Sequence, residues 1–122
     1  SRDVPIAMQA FKNQVDLIYV GASGPIQPTL PTIAAIAQKM HIPVCNVETY
    51  AVKKGLALAS FGVDYFKVGE HAGYLAASIL KGKDVASLKP IYPQQKDHHV
   101  LINRELAKIY ALAIPKHFEM VG

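Results

Sequence analysis

Apolar residues in this chain gather in short, nearly unbroken runs, and the stretches between them carry helical periodicity. Val15–Val20 (VDLIYV), Ile42–Val47 (IPVCNV) and Leu56–Phe61 (LALASF) are the three clearest runs. Runs so short and so poor in polar positions suit parallel strands buried on both faces. Between the first two, Ile33, Ile36, Ala37 and Met40 recur at the spacing of one helix face. Thr29 is placed to cap that helix, which puts Pro31 in its first turn, where a missing N–H does no harm. The pattern therefore reads strand, loop, helix, strand, short helix, strand, and it predicts an α/β chain with a mainly parallel sheet.

The flanking segments extend this reading. Asp3–Asn13 predicts a short helix with Asp3 as cap, Pro5 in the first turn, and Ile6, Ala10 and Phe11 inward. Thr49 is the expected cap of a helix reaching about Lys54, with Gly55 stopping it in a left-handed conformation. Gly62 is expected to end the third strand. Asp64 caps a long helix, Tyr65 to Lys81, which Gly82 stops. Gly69, Gly73 and Ala76–Ala77 give that helix a small-residue face. The stretch from Asp84 to Gln95 contains Pro90 and Pro93 and should run extended. Val100–Ile102 predicts another strand, and Asn103 a cap for a last helix from Arg104 to about Leu112.

Ligands of open parallel sheets lie beyond the carboxyl ends of the strands. Here those ends are the loop Gly21–Pro25 and the segment Val47–Tyr50. Gly21 and Gly24 are expected to permit a turn with unusual backbone angles, and loop amides near a helix start suit an anion such as a carboxylate. The same residues also fit a plain tight turn, because G-x-x-G lacks the spacing of a dinucleotide fingerprint and has no P-loop lysine. Glu48 ends a buried strand and can accept hydrogen bonds from an amine or from hydroxyls. It also fits a surface acid that favours a helix N-terminus. Asp64 has the same two readings, ligand group or simple cap.

Composition narrows the function classes. The 122 residues suffice for a single α/β domain, 1–122, with its own core. The net charge is +4, but the thirteen Lys and Arg are scattered, so no basic stripe points to nucleic acid. The single cysteine, Cys45, lies inside an apolar strand and reads as a buried, inert thiol. No run approaches the roughly twenty apolar residues of a membrane span. Ser1 opens almost directly on a helical segment, so the chain reads as part of something longer. Asp97, His98 and His99 are not expected to hold a metal, because adjacent strand residues point to opposite faces. His41, His71 and His117 stand apart, and no cofactor is implied. There is no G-x-S-x-G elbow and no nucleophile–base pair at a readable spacing, so the chain is not expected to be an enzyme. Asp16 lies at the wrong end of its strand for a phosphoacceptor.

Taken together, several segments resemble a known family. They are V-D-L-I-Y-V, A-I-A-x-K, I-P-V, the strand-end acid, A-V-K-K-G, A-L-A-S-F-G-V-D-Y-F, V-G-x-x-A-G-x-x-A-A-x-I-L-K-G and I-N-R-E-L-A-K-x-Y-A-L-A-I-P. From about Val4 to Phe118 the chain is similar to the C-terminal half of ABC-transporter substrate-binding proteins of the tryptophan/tyrosine-type group. The resemblance implies a three-layer, Rossmann-like lobe of the type I periplasmic-binding-protein fold. Two such lobes close on a small solute and present it to a membrane permease. This chain would supply most of the second lobe, and its 65–81 helix would pack with the first lobe or with a second copy. By position, the implied ligand residues are Ala22, Ser23, Gly24 and Pro25, then Glu48, Thr49 and Tyr50, then Gly62 and Asp64. Ser23 stands where these proteins commonly have an aspartate, and the segment from Glu48 to Ala57 is one residue longer than usual. The implied ligand is polar or amino-acid-like, and the implied location is periplasmic or extracytoplasmic and membrane-anchored, as a lipoprotein. The alternatives are a sensory or regulatory domain of the same fold and a remnant that binds nothing.

Overall fold

The computed structural model describes residues 3–122. Packing divides them into two compact units. One runs through Gly62 and resumes at Val100, and the other is Val63–His99.

In the first unit, α1 (Val4–Gln9) leads to β1 (Ile18–Val20), and a 3-10 turn (Gln27–Thr29) leads into α2 (Leu30–Lys39). Next come β2 (Val44–Asn46), α3 (Thr49–Lys53) and β3 (Ala59–Val63). The second unit holds α4 (Tyr65–Leu80). The chain returns through β4 (His98–Asn103), α5 (Arg104–Ile109) and β5 (Glu119–Val121). The five strands form one sheet in the order β1-β2-β3-β4-β5. β1 pairs parallel with β2 (Ile18 to Val44, Val20 to Asn46), and β2 pairs parallel with β3 (Asn46 to Ser60). β4 and β5 are also parallel. The Asn103 N–H donates to the Leu58 carbonyl at 2.7 Å and the Asp64 N–H to the Asp97 carbonyl at 2.8 Å, so β4 runs against β3. The sheet is mixed but mostly parallel, as the apolar runs predict.

The core of the first unit forms where α1, α2 and α3 bury their apolar stripes on the strands. Val4, Met8, Ile18, Val20, Leu30, Ile33, Ala37, Val44 and Val52 make one cluster. Leu58, Ile102 and Ala107 make a second. Asn103 ties this unit together. Its side-chain oxygen caps α5 by accepting from the Leu106 N–H (2.9 Å), and its amide donates to the Val52 carbonyl (3.0 Å).

Five expectations need correction. α1 turns Val4 and Met8 inward, while Ile6 is 74% exposed. Those two are one helical turn apart, and Ile6 lies about 200° around the axis from either. Thr29 does not cap α2. Its backbone is already helical, and its hydroxyl donates to the Ile26 carbonyl (2.7 Å), closing the 3-10 turn before the helix. The residue in the cap position of α3 is Glu48, with extended backbone, so Thr49 is already inside the helix. β3 starts three residues later than the apolar run suggests, and Gly62 lies within it rather than past its end. Gly21 and Gly24 are not among the residues with positive φ, whereas Gly55 (φ 68°) and Gly82 (φ 88°) are.

In the second unit, the Asp64 carboxylate accepts from the Phe66 N–H at 2.9 Å and caps α4 as its sequence position predicts. The Asp97 carboxylate accepts from the Gln94 N–H (2.8 Å) and closes a turn just before β4.

Candidate functional site

Because β1, β2 and β3 are parallel, their carboxyl ends share one edge of the sheet. That edge brings the loop after β1 beside the segment after β2, and Gly62 of β3 beside the latter on its other side.

The first segment is a self-bonded turn. The Ser23 N–H donates to the Gly21 carbonyl (2.9 Å), and the Ser23 carbonyl accepts from Ile26 (3.1 Å) and Gln27 (2.9 Å). The Ser23 amide is therefore turned inward, and Ala22 and Gly24 on either side of it are exposed. Pro25 is exposed beside them and has no N–H to offer. Ser23 itself is half-buried, and its hydroxyl can both donate and accept.

The second segment carries Glu48, Thr49 and Tyr50. Glu48 is half-buried, and with Gln27, Leu30, Tyr50 and Leu56 it lines a hollow of about 390 Å³. The Tyr50 ring is 63% exposed, and the Lys54 ammonium lies 5.7 Å from its centroid, within cation–π range. Glu48 and Tyr50 thus share one hollow after β2, and the Lys54 ammonium lies over the tyrosine ring.

Gly62 is there for a steric reason. A Cβ on it would lie 3.2 Å from the Val47 carbonyl carbon and inside the van der Waals sphere of that carbonyl's oxygen. Only glycine lets β3 pass so close to the end of β2. Asp64 belongs to the second unit, where its carboxylate holds the α4 N-terminus.

Two residues that sequence reasoning did not single out connect the first two segments. Asn46, the last residue of β2, is completely buried. Its side-chain oxygen accepts from the Glu48 N–H at 2.7 Å, and its amide donates to the Gln27 side-chain oxygen at 3.3 Å. The Gln27 amide in turn donates to the Gly21 carbonyl at 3.0 Å. The polarity of this chain is determined at both ends. A backbone N–H at Glu48 requires an acceptor and a backbone carbonyl at Gly21 requires a donor, so neither side-chain amide can be turned over without loss. A signal for Asn46 was present in the sequence: an asparagine inside an apolar run must find partners for both halves of its amide once buried.

Cys45 precedes Asn46 on β2. It is half-buried, and burial pushes its thiol above the ordinary value. Such a thiol is a poor nucleophile at neutral pH.

A glycine-bearing loop, an acidic strand end and a tyrosine thus share one edge of a mostly parallel α/β sheet. The chain matches the model of the ABC transporter substrate-binding protein family over residues 1–119, and it belongs to that family. Its members are binding proteins, not enzymes. It is 32% identical over 108 residues to the tyrosine-binding protein of Clostridioides difficile (strain R20291), a match covering 88% of this chain and 30% of that protein. Its fold matches the ligand-free, open structure of CD0873, a substrate-binding protein with adhesive properties from Clostridium difficile. The TM-score is 0.74 at 27% identity, over 98% of this chain and 40% of that one. A similar fold occurs in an ABC domain from Streptococcus pneumoniae solved in complex with L-Trp. There the TM-score is 0.79 at 22% identity, covering 98% of this chain and 41% of the other. The chain therefore spans less than half the length of each relative.

Proposed function

We propose that this chain is the larger part of the second lobe of an extracytoplasmic, lipid-anchored solute receptor that delivers an amino-acid-like ligand to an ABC permease. The observation that carries the reading is the common edge of β1, β2 and β3. In this reading the Ala22 and Gly24 amides meet the ligand's carboxylate and Glu48 meets its ammonium, the two charges of a free amino acid. The Ser23 hydroxyl takes the place of a charged side chain in the first loop, so Glu48 is the principal anion for the ligand's amine. Thr49 adds a hydroxyl, Tyr50 forms a flat wall for an apolar or aromatic side chain, and Gly62 keeps the third strand close beneath them. Asp64 serves by holding α4 in place. The tyrosine-binding relative makes L-tyrosine the first ligand to try.

In this reading the first lobe completes the ligand cleft and covers α4. That helix exposes Tyr65, Phe66, Tyr74 and Leu80, each at least 66% accessible, and an apolar surface of this kind suits burial against another part of the protein.

Isothermal titration calorimetry of the full-length protein against L-tyrosine and the other amino acids tests the proposal. Native protein should bind at least one of them. Glu48→Ala should weaken that binding by about tenfold or more, the scale of one charge-assisted hydrogen bond, and should leave the unfolding midpoint unchanged. No heat with any amino acid rejects the ligand class, and unchanged affinity in the variant removes Glu48 from the site.

A further inference from the structure

We infer that Asn46 and Gln27 are positioning residues that set the spacing between the two ligand-holding segments before any ligand arrives. The inference rests on the reading of this edge as a ligand site and extends it to two residues that act through the segments they join. The chain Glu48 N–H to Asn46, Asn46 to Gln27, Gln27 to Gly21 carbonyl is a continuous path of three hydrogen bonds at 2.7, 3.3 and 3.0 Å. It starts on the backbone of the residue assigned to the ligand's amine and ends on the backbone of the loop assigned to its carboxylate. The side chain at the centre is completely buried. A buried amide that has lost a partner is costly, so these bonds resist separation of the two segments. The two segments are also joined through the short pairing of β1 with β2, which ends at Val20 and Asn46. Beyond that point the side-chain relay carries the spacing. A preformed spacing lowers the ordering cost of binding.

The relay needs a donor and an acceptor on one side chain at position 46, and this gives a test that ordinary destabilisation does not mimic. In Asn46→Asp the carboxylate still accepts from the Glu48 N–H but has no proton for Gln27. Protonated, the same carboxyl has both functions again. Ser60, its register partner on β3, and the turn Gln27–Thr29 are uncharged, and the charges on the adjoining segment are Glu48 and, over the Tyr50 ring, Lys54. Burial and the nearby Glu48 carboxylate both raise the pKa of a carboxyl at position 46, so the variant should titrate within the accessible range.

The experiment uses the full-length protein with L-tyrosine, or whichever amino acid the native protein binds. At pH 7.5, Asn46→Asp should bind about tenfold more weakly than native, the scale of one unsatisfied buried amide. The ratio of variant to native affinity should climb back toward one as pH falls to about 5. Gln27→Met, which breaks the same path without adding charge, should show a similar deficit that does not respond to pH. Combined with Asn46→Asp, its effect should be less than additive. Hydrogen exchange without ligand gives a second readout. The Ser23, Ile26 and Gln27 amides should exchange faster in either variant, with α5 amides unchanged. Native-like affinity in both variants, a deficit in Asn46→Asp that ignores pH, or unaltered exchange in the loop overturns the inference. If native protein binds no amino acid, the functional reading fails, and the exchange comparison still decides whether the relay sets the loop.

Discussion

Replacing Gly62 by alanine is the sharpest test of how the edge is built. The added Cβ would lie 3.2 Å from the Val47 carbonyl carbon and would overlap its oxygen. That oxygen is backbone and cannot swing aside like the end of a long side chain. It belongs to the same peptide unit as the Glu48 N–H, which is held at 2.7 Å by Asn46. Rotating the carbonyl away therefore rotates the N–H out of its bond, and moving β3 instead strains the pairing of Asn46 with Ser60. Relief by either route puts the cost at about 3 kcal/mol, the upper range for overpacking a tight site. Gly24→Ala is the matched control. Nothing lies within 4 Å of its Cβ position, and the backbone is not in the left-handed region. That change should be neutral, or stabilising by about 0.5 kcal/mol through the unfolded chain. Urea unfolding of the full-length protein, followed by circular dichroism, measures both. Calorimetry on the folded fraction should show weaker ligand binding for Gly62→Ala, because Glu48 is carried on the displaced peptide. If Gly62→Ala unfolds within about 0.5 kcal/mol of native, the close approach of β3 to Val47 is wrong, and with it the account of this edge.

Asn103→Ala should cost about 2–3 kcal/mol in the same assay, because it removes the α5 cap and leaves the buried Val52 carbonyl without its donor. Asn103→Asp should recover the cap alone and fall between the two. Burial raises the Cys45 thiol above its ordinary 9.0 and the Tyr110 phenol above its ordinary 10.0. For both, the native state holds its proton to higher pH than the unfolded chain does. Their contribution to stability is therefore complete below those ordinary values and lost as pH rises past them. Stability measured from pH 8 to 11 should fall more steeply in native protein than in Cys45→Ala, and equal slopes would show that the thiol is not coupled to folding. Alkylation of Cys45 by iodoacetamide at pH 8 should run slower than that of a free cysteine, and equal rates would contradict its burial.

Much of the architecture was legible in the chain itself. Buried parallel strands need apolar residues on both faces, so VDLIYV, IPVCNV and LALASF announce themselves without any partner in view. Asp64 and Asn103 cap helices as read, because capping is a bond between a side chain and amides two or three residues on. Gly55 and Gly82 end their helices with positive φ for the same local reason. The parallel order of β1, β2 and β3, and so the common edge of Ser23, Glu48 and Gly62, follows from connecting such strands through helices.

Other features depended on contacts between distant parts of the chain. Which face of α1 turns inward was settled by the sheet it meets, since Ile6 is as apolar as Val4. β5 (Glu119–Val121) has no apolar signature of its own and exists because β4 offers it a free edge. Gly62 reads as a strand end until the Val47 carbonyl is seen to press on it. Asn46 and Gln27 lie nineteen residues apart, and their bond belongs to the fold alone. Local rules act within a turn of helix or a step of strand. Which polar groups find one another in the interior is determined only when the strands that carry them are brought side by side.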